Sequence, residues 1–236
     1  MADRIMHLGI DRPERRGFRH EGEIVVIGLG RFGTSLAGSL VDMGYEVLGV
    51  DLDADRVQQM SGTLTHVTQA DTTNRDTLRQ IGVADAVTVV VGIGNDVEAS
   101  VLTTVALDDL GVENIWAKAI TEAHGSILSR VGAHHVVFPE AEMGARVAHL
   151  VTGSMLEYFA LDDDFVIAEL IAPEQLSGVP LGESHLRATY KVTVVCVKPS
   201  GGQFTYADRD TVLAPNDLIV IAGHRRDVEH FTVQSR

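Results

Sequence analysis

From residue 23 onward, short β-branched runs alternate with stretches of helical periodicity, the pattern that predicts parallel strands joined by crossover helices. Residues 23–27 are the first expected strand. Phe32, Leu36, Leu40 and Met43 then recur three or four residues apart, which makes one apolar helix face, and Gly44 stands where a C-terminal cap belongs. Residues 47–51 read as the second strand, 54–60 as a helix and 64–70 as a third extended run. Asp71 and Thr72 are expected to cap the next helix, which holds Leu78 and Ile81. The clearest buried strand is 85–91, followed by Asn95 or Asp96 as the cap of a helix carrying Val97, Val101, Val105 and Leu110, ended by Gly111. Strand 114–119, helix 121–131 and strand 134–138 complete a second βαβαβ half. The expected fold is α/β, a Rossmann-like doubly wound parallel sheet.

Beyond Pro139 a longer helical pattern puts Met143, Val147, Val151 and Met155 on one stripe and runs to about Tyr158, before the acidic triplet 162–164. Residues 165–171, 191–198 and 217–222 read as strands, with Pro-Ser-Gly-Gly at 199–202 as a turn. The expected organisation is a tail over 1–22, the Rossmann-like domain over 23–140, a crossover and dimerisation helix over 141–160, and a smaller α+β domain over 161–236.

Composition narrows the function classes. The 236 residues, 45% of them apolar, suffice for two compact cores. With 33 acidic against 19 basic side chains and a net charge of −14, the surface field repels phosphate backbones, so no nucleic-acid partner is expected. Small anionic ligands in local pockets remain compatible with it. The single cysteine, Cys196, excludes an internal disulfide and any multi-thiolate metal site, and within Val-Val-Cys-Val it reads as a buried small hydrophobe. No apolar run approaches the roughly 18 residues of a spanning helix. The tail, with five arginines and four acids, lacks the apolar core of a secretory signal. None of the three lysines, Lys118, Lys191 and Lys198, follows a glycine as a Walker motif requires.

The segment Gly28-Leu29-Gly30-Arg31-Phe32-Gly33 has G-x-G-x-x-G spacing between an expected strand and an expected helix. The first glycine allows the tight turn, the second lets backbone approach a pyrophosphate, and the third lets helix pack on strand, while unpaired N–H groups at the helix start attract phosphate. Asp51, ending the second strand, is the expected carboxylate for adenosine ribose hydroxyls and speaks against a 2′-phosphate. The same geometry accepts ATP, ADP or NAD(H). Arg31 either pairs with terminal phosphates or is a solvated surface residue. Asp71 either faces the adenine edge or caps a helix. Lys118, alone in an apolar run at a strand end, either reaches a phosphate or makes a surface ion pair. Phe32 in the loop and Asn95 after the fourth strand complete the candidate nucleotide contacts.

Catalytic patterns are wanting. Tyr45, Tyr158, Tyr190 and Tyr206 are followed four residues on by Gly, Asp, Val and Asp, so the Tyr-Lys arrangement of short-chain dehydrogenases fails at each. His185, His224 and His230 sit in ordinary polar contexts, and no G-x-S-x-G occurs. His134 and His135, adjacent on a strand, point to opposite faces, so at most one can join Glu140 at a metal. Glu140 either lies near a ligand or divalent cation or complements a helix dipole. A nucleotide fold without catalytic groups fits a sensor better than an enzyme.

Several blocks in order carry a family resemblance: Ile-Gly-Leu-Gly-Arg-Phe-Gly at 27–33, Val-Asp at 50–51, Ala-Ser-Val-Leu-Thr-Thr at 99–104, Asn-Ile-Trp-Ala-Lys-Ala at 114–119, Phe-Pro-Glu-Ala-Glu-Met-Gly at 138–144 and Val-Leu-Ala-Pro-Asn-Asp-Leu-Ile-Val-Ile-Ala-Gly at 212–223. Together the chain resembles the cytosolic RCK (KTN, TrkA-type) regulatory subunits of Ktr/Trk bacterial potassium uptake systems. The resemblance implies a non-enzymatic homodimer, assembled as an octameric ring beneath a membrane potassium-translocating subunit, whose shape follows bound ATP or ADP, with NAD(H) in some relatives. It implies that Arg31 distinguishes a γ-phosphate, Asp51 holds the ribose, Lys118 contacts phosphate and Glu140 is linked to a divalent cation. Arg187 matches an arginine of the cyclic di-AMP site found in parts of the family, although Thr189 replaces a lysine common there. Regulation of a cation/proton antiporter or channel, or an NAD-dependent oxidoreductase activity, are the alternatives.

Overall fold

The computed structural model describes residues 22–234 apart from 152, 154 and 163; the expected tail therefore lies almost wholly outside the described residues. The chain divides into two compact units, Met1–Phe138 and Pro139–Arg236.

The first unit is built on six parallel strands, β1 (Ile24–Ile27), β2 (Val47–Asp51), β3 (His66–Gln69), β4 (Thr88–Val91), β5 (Ile115–Lys118) and β6 (His135–Val137). Five helices connect them: α1 (Arg31–Asp42), α2 (Ala54–Met60), α3 (Arg75–Gln80), α4 (Val97–Asp109) and α5 (Glu122–Arg130). The order is β3-β2-β1-β4-β5-β6, so the sheet winds outward in both directions from β1 and the switch point falls between β1 and β4. Ile27, the last residue of β1, lies in register with Val50 on one side and Val91 on the other. Both faces of β1 are covered, as its unbroken apolar run requires. Val25 and Ile27 join Val50, Val89, Leu107, Ile115 and Leu128 in one core. Ile24 and Val26 join Leu29, Ala37, Val47 and Leu64 in the other.

The expected sheet is present, with shorter strands than the apolar runs. Asp71 and Thr72 do not cap α3: Asn74 does, accepting from the Asp76 and Thr77 N–H groups. The loop is two residues longer than the pattern suggested, because Thr72 is drawn into the interior to meet the Thr103 hydroxyl at 3.0 Å. At α4 the cap is Asp96, whose carboxylate accepts the Ala99 N–H at 2.9 Å, and Asn95 is exposed at the bend before it.

The second unit holds α6 (Pro139–Val151), β7 (Glu157–Ala160), β8 (Phe165–Ile171), α7 (Leu186–Tyr190), β9 (Thr193–Lys198), β10 (Thr205–Tyr206), β11 (Leu218–His224) and α8 (Arg225–Gln234). Its five strands form an antiparallel sheet in the order β10-β9-β11-β8-β7. Val166, Ala168, Leu170, Val197, Ile219 and Ile221 alternate inward and are covered by Val228 and Phe231 of α8.

Here the expected helix is overturned in part: it ends at Val151 rather than near Tyr158, and 157–160 is a strand. Gly153 takes φ +70° and donates its N–H to the Leu150 carbonyl at 3.0 Å, a left-handed stop that a continuing helix lacks. Tyr158 then turns into the core and stacks on His149 of α6 at 3.9 Å. An Arg146–Glu157 ion pair ties helix to strand. Met155 consequently leaves the expected stripe and is buried, whereas Met143, Val147 and Val151 are exposed. Cys196 is half-buried, not buried; in β9 the buried positions are Val194 and Val197.

Candidate nucleotide site

The carboxyl ends of β1, β2, β4 and β5 bring the glycine loop, Asp51, the Gly92–Gly94 turn and Lys118 to one edge of the first unit. Gly28 takes φ +89°, a conformation glycine adopts without strain, and its N–H donates to the Val50 carbonyl at 2.7 Å. Gly33 sits so close beneath it that an added Cβ would lie 1.9 Å from the Gly28 carbonyl oxygen. Gly30 precedes α1 with open space where its side chain would be. No side chain caps α1 and its first turn carries no acid. The free N–H groups and the positive end of a 12-residue helix thus face outward beside a glycine. Arg31, the first residue of α1, is exposed.

Asp51, only 7% exposed, is wired to the loop. Its Oδ2 accepts the Leu29 N–H at 2.6 Å, and its Oδ1 accepts the Asp53 N–H at 2.9 Å. The arrangement fixes a carboxylate at the end of β2. Arg56 of α2 approaches Oδ2 at 3.4 Å. Sequence reasoning passed over Arg56; the available signal was a cation five residues after the strand-end carboxylate, in the first turn of the next helix.

Lys118 ends β5 and is 8% exposed. Its ammonium lies 5.7 Å from the centroid of the Phe32 ring and 3.1 Å from where a Gly94 Cβ would be. The expected strand-end lysine and the loop phenylalanine are thereby brought together, and a side chain larger than hydrogen at Gly94 would crowd the ammonium. Asp71 is exposed after β3, its carboxylate accepting the Thr73 N–H at 3.0 Å and hydroxyl at 2.7 Å.

The other candidates lie elsewhere. His134 Nδ1 accepts the Ile115 N–H at 3.1 Å and His135 stacks on Trp116 at 4.2 Å, so both serve the sheet edge. Glu140 is exposed in the first turn of α6, in the second unit. Among the described residues no group of three His, Cys, Asp or Glu side chains could hold a metal ion. In the second unit a cavity of about 470 Å³ is lined by Leu186, Arg187, Val194, Asp208 and Arg209, among others. The Arg187 Nε donates to the Thr193 hydroxyl at 3.1 Å, which orients the guanidinium. His185 and Lys191, flanking α7, both hold left-handed backbone conformations. The Asp208 carboxyl is held below its usual range by the Thr211 hydroxyl and by backbone N–H groups.

Comparison with known proteins follows the same division. Residues 24–139 match the TrkA-N domain and residues 165–234 the TrkA-C domain. The chain is 34% identical over 210 residues to Ktr system potassium uptake protein C of Bacillus subtilis, covering 89% of this chain and 95% of that protein. It is 33% identical over 202 residues to Ktr system potassium uptake protein A of Vibrio alginolyticus, covering 85% and 92%. Among solved structures, the GsuK RCK domain superposes with a TM-score of 0.62 at 21% identity, over 94% of this chain and 48% of that one. The GsuK channel bound to NAD gives 0.60 at 21%, over 92% and 39%. These two likenesses extend to the fold.

Proposed function

The chain belongs to the TrkA-domain family of Ktr potassium uptake proteins, and on that premise we propose that it is the cytosolic, nucleotide-sensing regulatory subunit of a potassium uptake system, acting on a membrane potassium translocator. The observation that carries this reading is the pairing of opposite electrostatics at one sheet edge. The uncapped start of α1, Arg31 and the Lys118 ammonium offer positive charge for phosphates, and Asp51 offers a carboxylate for ribose hydroxyls. Phe32, Asp71 and Asn95 belong to the same edge and complete the proposed contacts.

A regulator needs ligands that it treats differently. ATP and ADP share the adenosine and differ at one phosphate, so they shift a conformational equilibrium only by their differential binding. Exposed at the helix start, Arg31 is the residue on which that difference should depend. Arg31→Ala is expected to bring the ATP and ADP affinities within about threefold of each other while leaving AMP binding unchanged, since a charged contact is worth roughly 1.5–3 kcal/mol. Calorimetry on the two proteins decides it; an unchanged ATP-to-ADP ratio refutes the role. A thermal-shift panel of ATP, ADP, NADH and cyclic di-AMP identifies the physiological class, because a ligand of the native state raises its melting point with affinity and concentration.

The rest of the reading has narrower support. The 13 residues of α6 include none that is buried, and Met143, Val147 and Val151 line up along it, which favours a homodimer through this helix and a ring built from such dimers. Glu140, exposed in the first turn of α6, is the carboxylate of the proposed divalent-cation site. In the second unit, the cavity with Arg187 and Arg209 has the size of a small-ligand site and the charge for a cyclic dinucleotide.

A further inference from the structure

We propose that Phe32 is the positioning residue for the Lys118 ammonium: its ring holds the charge across the turn after β4, ready for a nucleotide phosphate, and Gly92 and Gly94 leave the space in which the pair meets. The proposal rests on the nucleotide reading above and deepens it, giving Phe32 a role that acts through another side chain.

β4 separates β5 from β1, a span of about 10 Å at the usual spacing of neighbouring strands. A lysine at the end of β5 therefore meets the glycine loop after β1 only if its stem is directed across the β4 turn. Alternation sets the face. Ile115 and Ala117 belong to the core that contains Val25 and Leu107, so Lys118 is on the opposite face, where α1 packs through Ala37. There the first turn of α1 carries Phe32, and the Lys118 Nζ lies 5.7 Å from its ring centroid. That is inside the distance at which the negative face of a ring attracts a cation.

Two glycines make the room. A Cβ at Gly94 would lie 3.1 Å from the Lys118 Nζ and 3.3 Å from its Cε. A Cβ at Gly92 would lie 3.5 Å from the Phe32 Cδ1, and only 3.2 Å and 3.3 Å from the Gly28 and Ile27 carbonyl oxygens. The β4 turn thus lies against the glycine loop, with the ring beside one of its glycines and the ammonium beside the other.

Holding the charge in this way favours phosphate binding. A lysine stem that is free in solvent loses rotamer freedom when a phosphate captures the ammonium, and the loss weakens binding. Lys118 is only 8% exposed, so its stem is ordered beforehand. The ring attracts the ammonium without neutralising it, and an ammonium carries three N–H donors, so donors remain for phosphate oxygens.

The test is a double-substitution cycle on the full chain, with ADP affinity read by calorimetry for the unmodified protein, Phe32→Leu, Lys118→Met and the two together. Phe32→Leu keeps apolar bulk and removes the ring face; Lys118→Met keeps the stem and removes the charge. Phe32→Leu is expected to weaken ADP about three- to tenfold when Lys118 is present, and by less than about twofold in the Lys118→Met background. Equal losses in the two backgrounds mark plain packing and overturn the proposal, as does an unchanged affinity in Phe32→Leu. Urea melts of the same four proteins without nucleotide read the contact itself: Phe32→Leu should destabilise the unmodified chain more than the Lys118→Met chain, and additive losses overturn the contact. If the unmodified protein binds none of ADP, ATP and NADH, the nucleotide reading fails, and the positioning role fails with it even where the melts are non-additive.

Discussion

Replacing Gly33 by alanine tests whether the glycine loop is a packing device, a ligand device or both. The added Cβ would lie 1.9 Å from the Gly28 carbonyl oxygen and 3.5 Å from a Val26 methyl, where ordinary contact begins at 3.4 Å. Backbone lies on both sides of the clash, so no rotamer relieves it; α1 must move away from the loop by about 1.5 Å. Overpacking of this kind costs about 1–3 kcal/mol, and a backbone obstacle places it at the upper end. At about 4 °C per kcal/mol for a unit of this size, the ligand-free melting point should fall by roughly 10 °C. Gly30→Ala is the matched control. Gly30 has φ −72° and ψ −170°, which alanine adopts freely, and nothing lies within 4 Å of its Cβ position. Its stability should stay within about 1 kcal/mol of the parent. ADP affinity, however, should drop at least about tenfold, because the methyl fills the space through which backbone approaches a pyrophosphate. Calorimetric melting without nucleotide and ADP titration at a temperature where both variants are folded separate the two effects. A Gly33→Ala protein that melts within a degree of the parent refutes the packing argument. A Gly30→Ala protein that binds ADP like the parent removes the phosphate from the loop.

Two further outcomes concern buried polar groups. Asp217, 4% exposed, accepts the Ser200 N–H at 3.2 Å on one oxygen and the Ala214 N–H at 2.9 Å on the other, so it ties two loops at the start of β11. Asp217→Ala leaves both donors without that partner and should lower stability by about 2–4 kcal/mol in urea melts, with Asp217→Asn recovering one of the two bonds through its single acceptor oxygen. His124, 3% exposed, has its pKa lowered by burial, and its Nδ1 accepts the Ile120 N–H at 3.4 Å. The unfolded chain therefore binds the extra proton first. Stability is full above the unfolded value near 6.5 and is lost as pH falls below it toward the folded pKa. His124→Asn, which keeps an acceptor for Ile120, should flatten that part of the profile between pH 7 and 5; parallel profiles for the two proteins would show that another group carries it.

The geometry of the glycine-loop edge was legible because its signals are local. A strand, a glycine loop and the start of a helix follow one another within eleven residues, and Gly33 answers a contact made inside that span, with the Gly28 carbonyl. Asp51 was legible for the same reason, since a second parallel strand must end beside the first. Lys118 could be placed only at a strand end. Its approach to Phe32 and Gly94 depends on β4 and β5 being neighbours, which no spacing within either strand reports. Arg56 was missed because a cation in a short amphipathic helix looks like any solvated arginine until the strand before it is folded. At α3, Asp71 was a sound cap by residue type, but the burial of Thr72 against Thr103 decided the loop length from 31 residues away. In the second unit, Met143, Val147, Val151 and Met155 keep helical spacing across a real break. Periodicity does not register a single left-handed glycine, and it therefore carried the helix through Gly153.

The net charge makes a global expectation that is compatible with a local exception. A chain at −14 disfavours a long polyanion, whose many phosphates sample the whole surface. A nucleotide samples only a few ångströms, and at physiological ionic strength exposed charges farther away than about 8 Å are largely screened. For the proposed nucleotide site the relevant charges are therefore those of the immediate lining: a helix start without an acid in its first turn, an ammonium only 8% exposed, and an arginine at the first helical position. Removing surface acids remote from this edge should leave nucleotide affinity nearly unchanged at 0.15 M salt, whereas neutralising Lys118 should not. Burial shields that ammonium from screening, so an acidic surface that disfavours a long polyanion is compatible with the proposed nucleotide site.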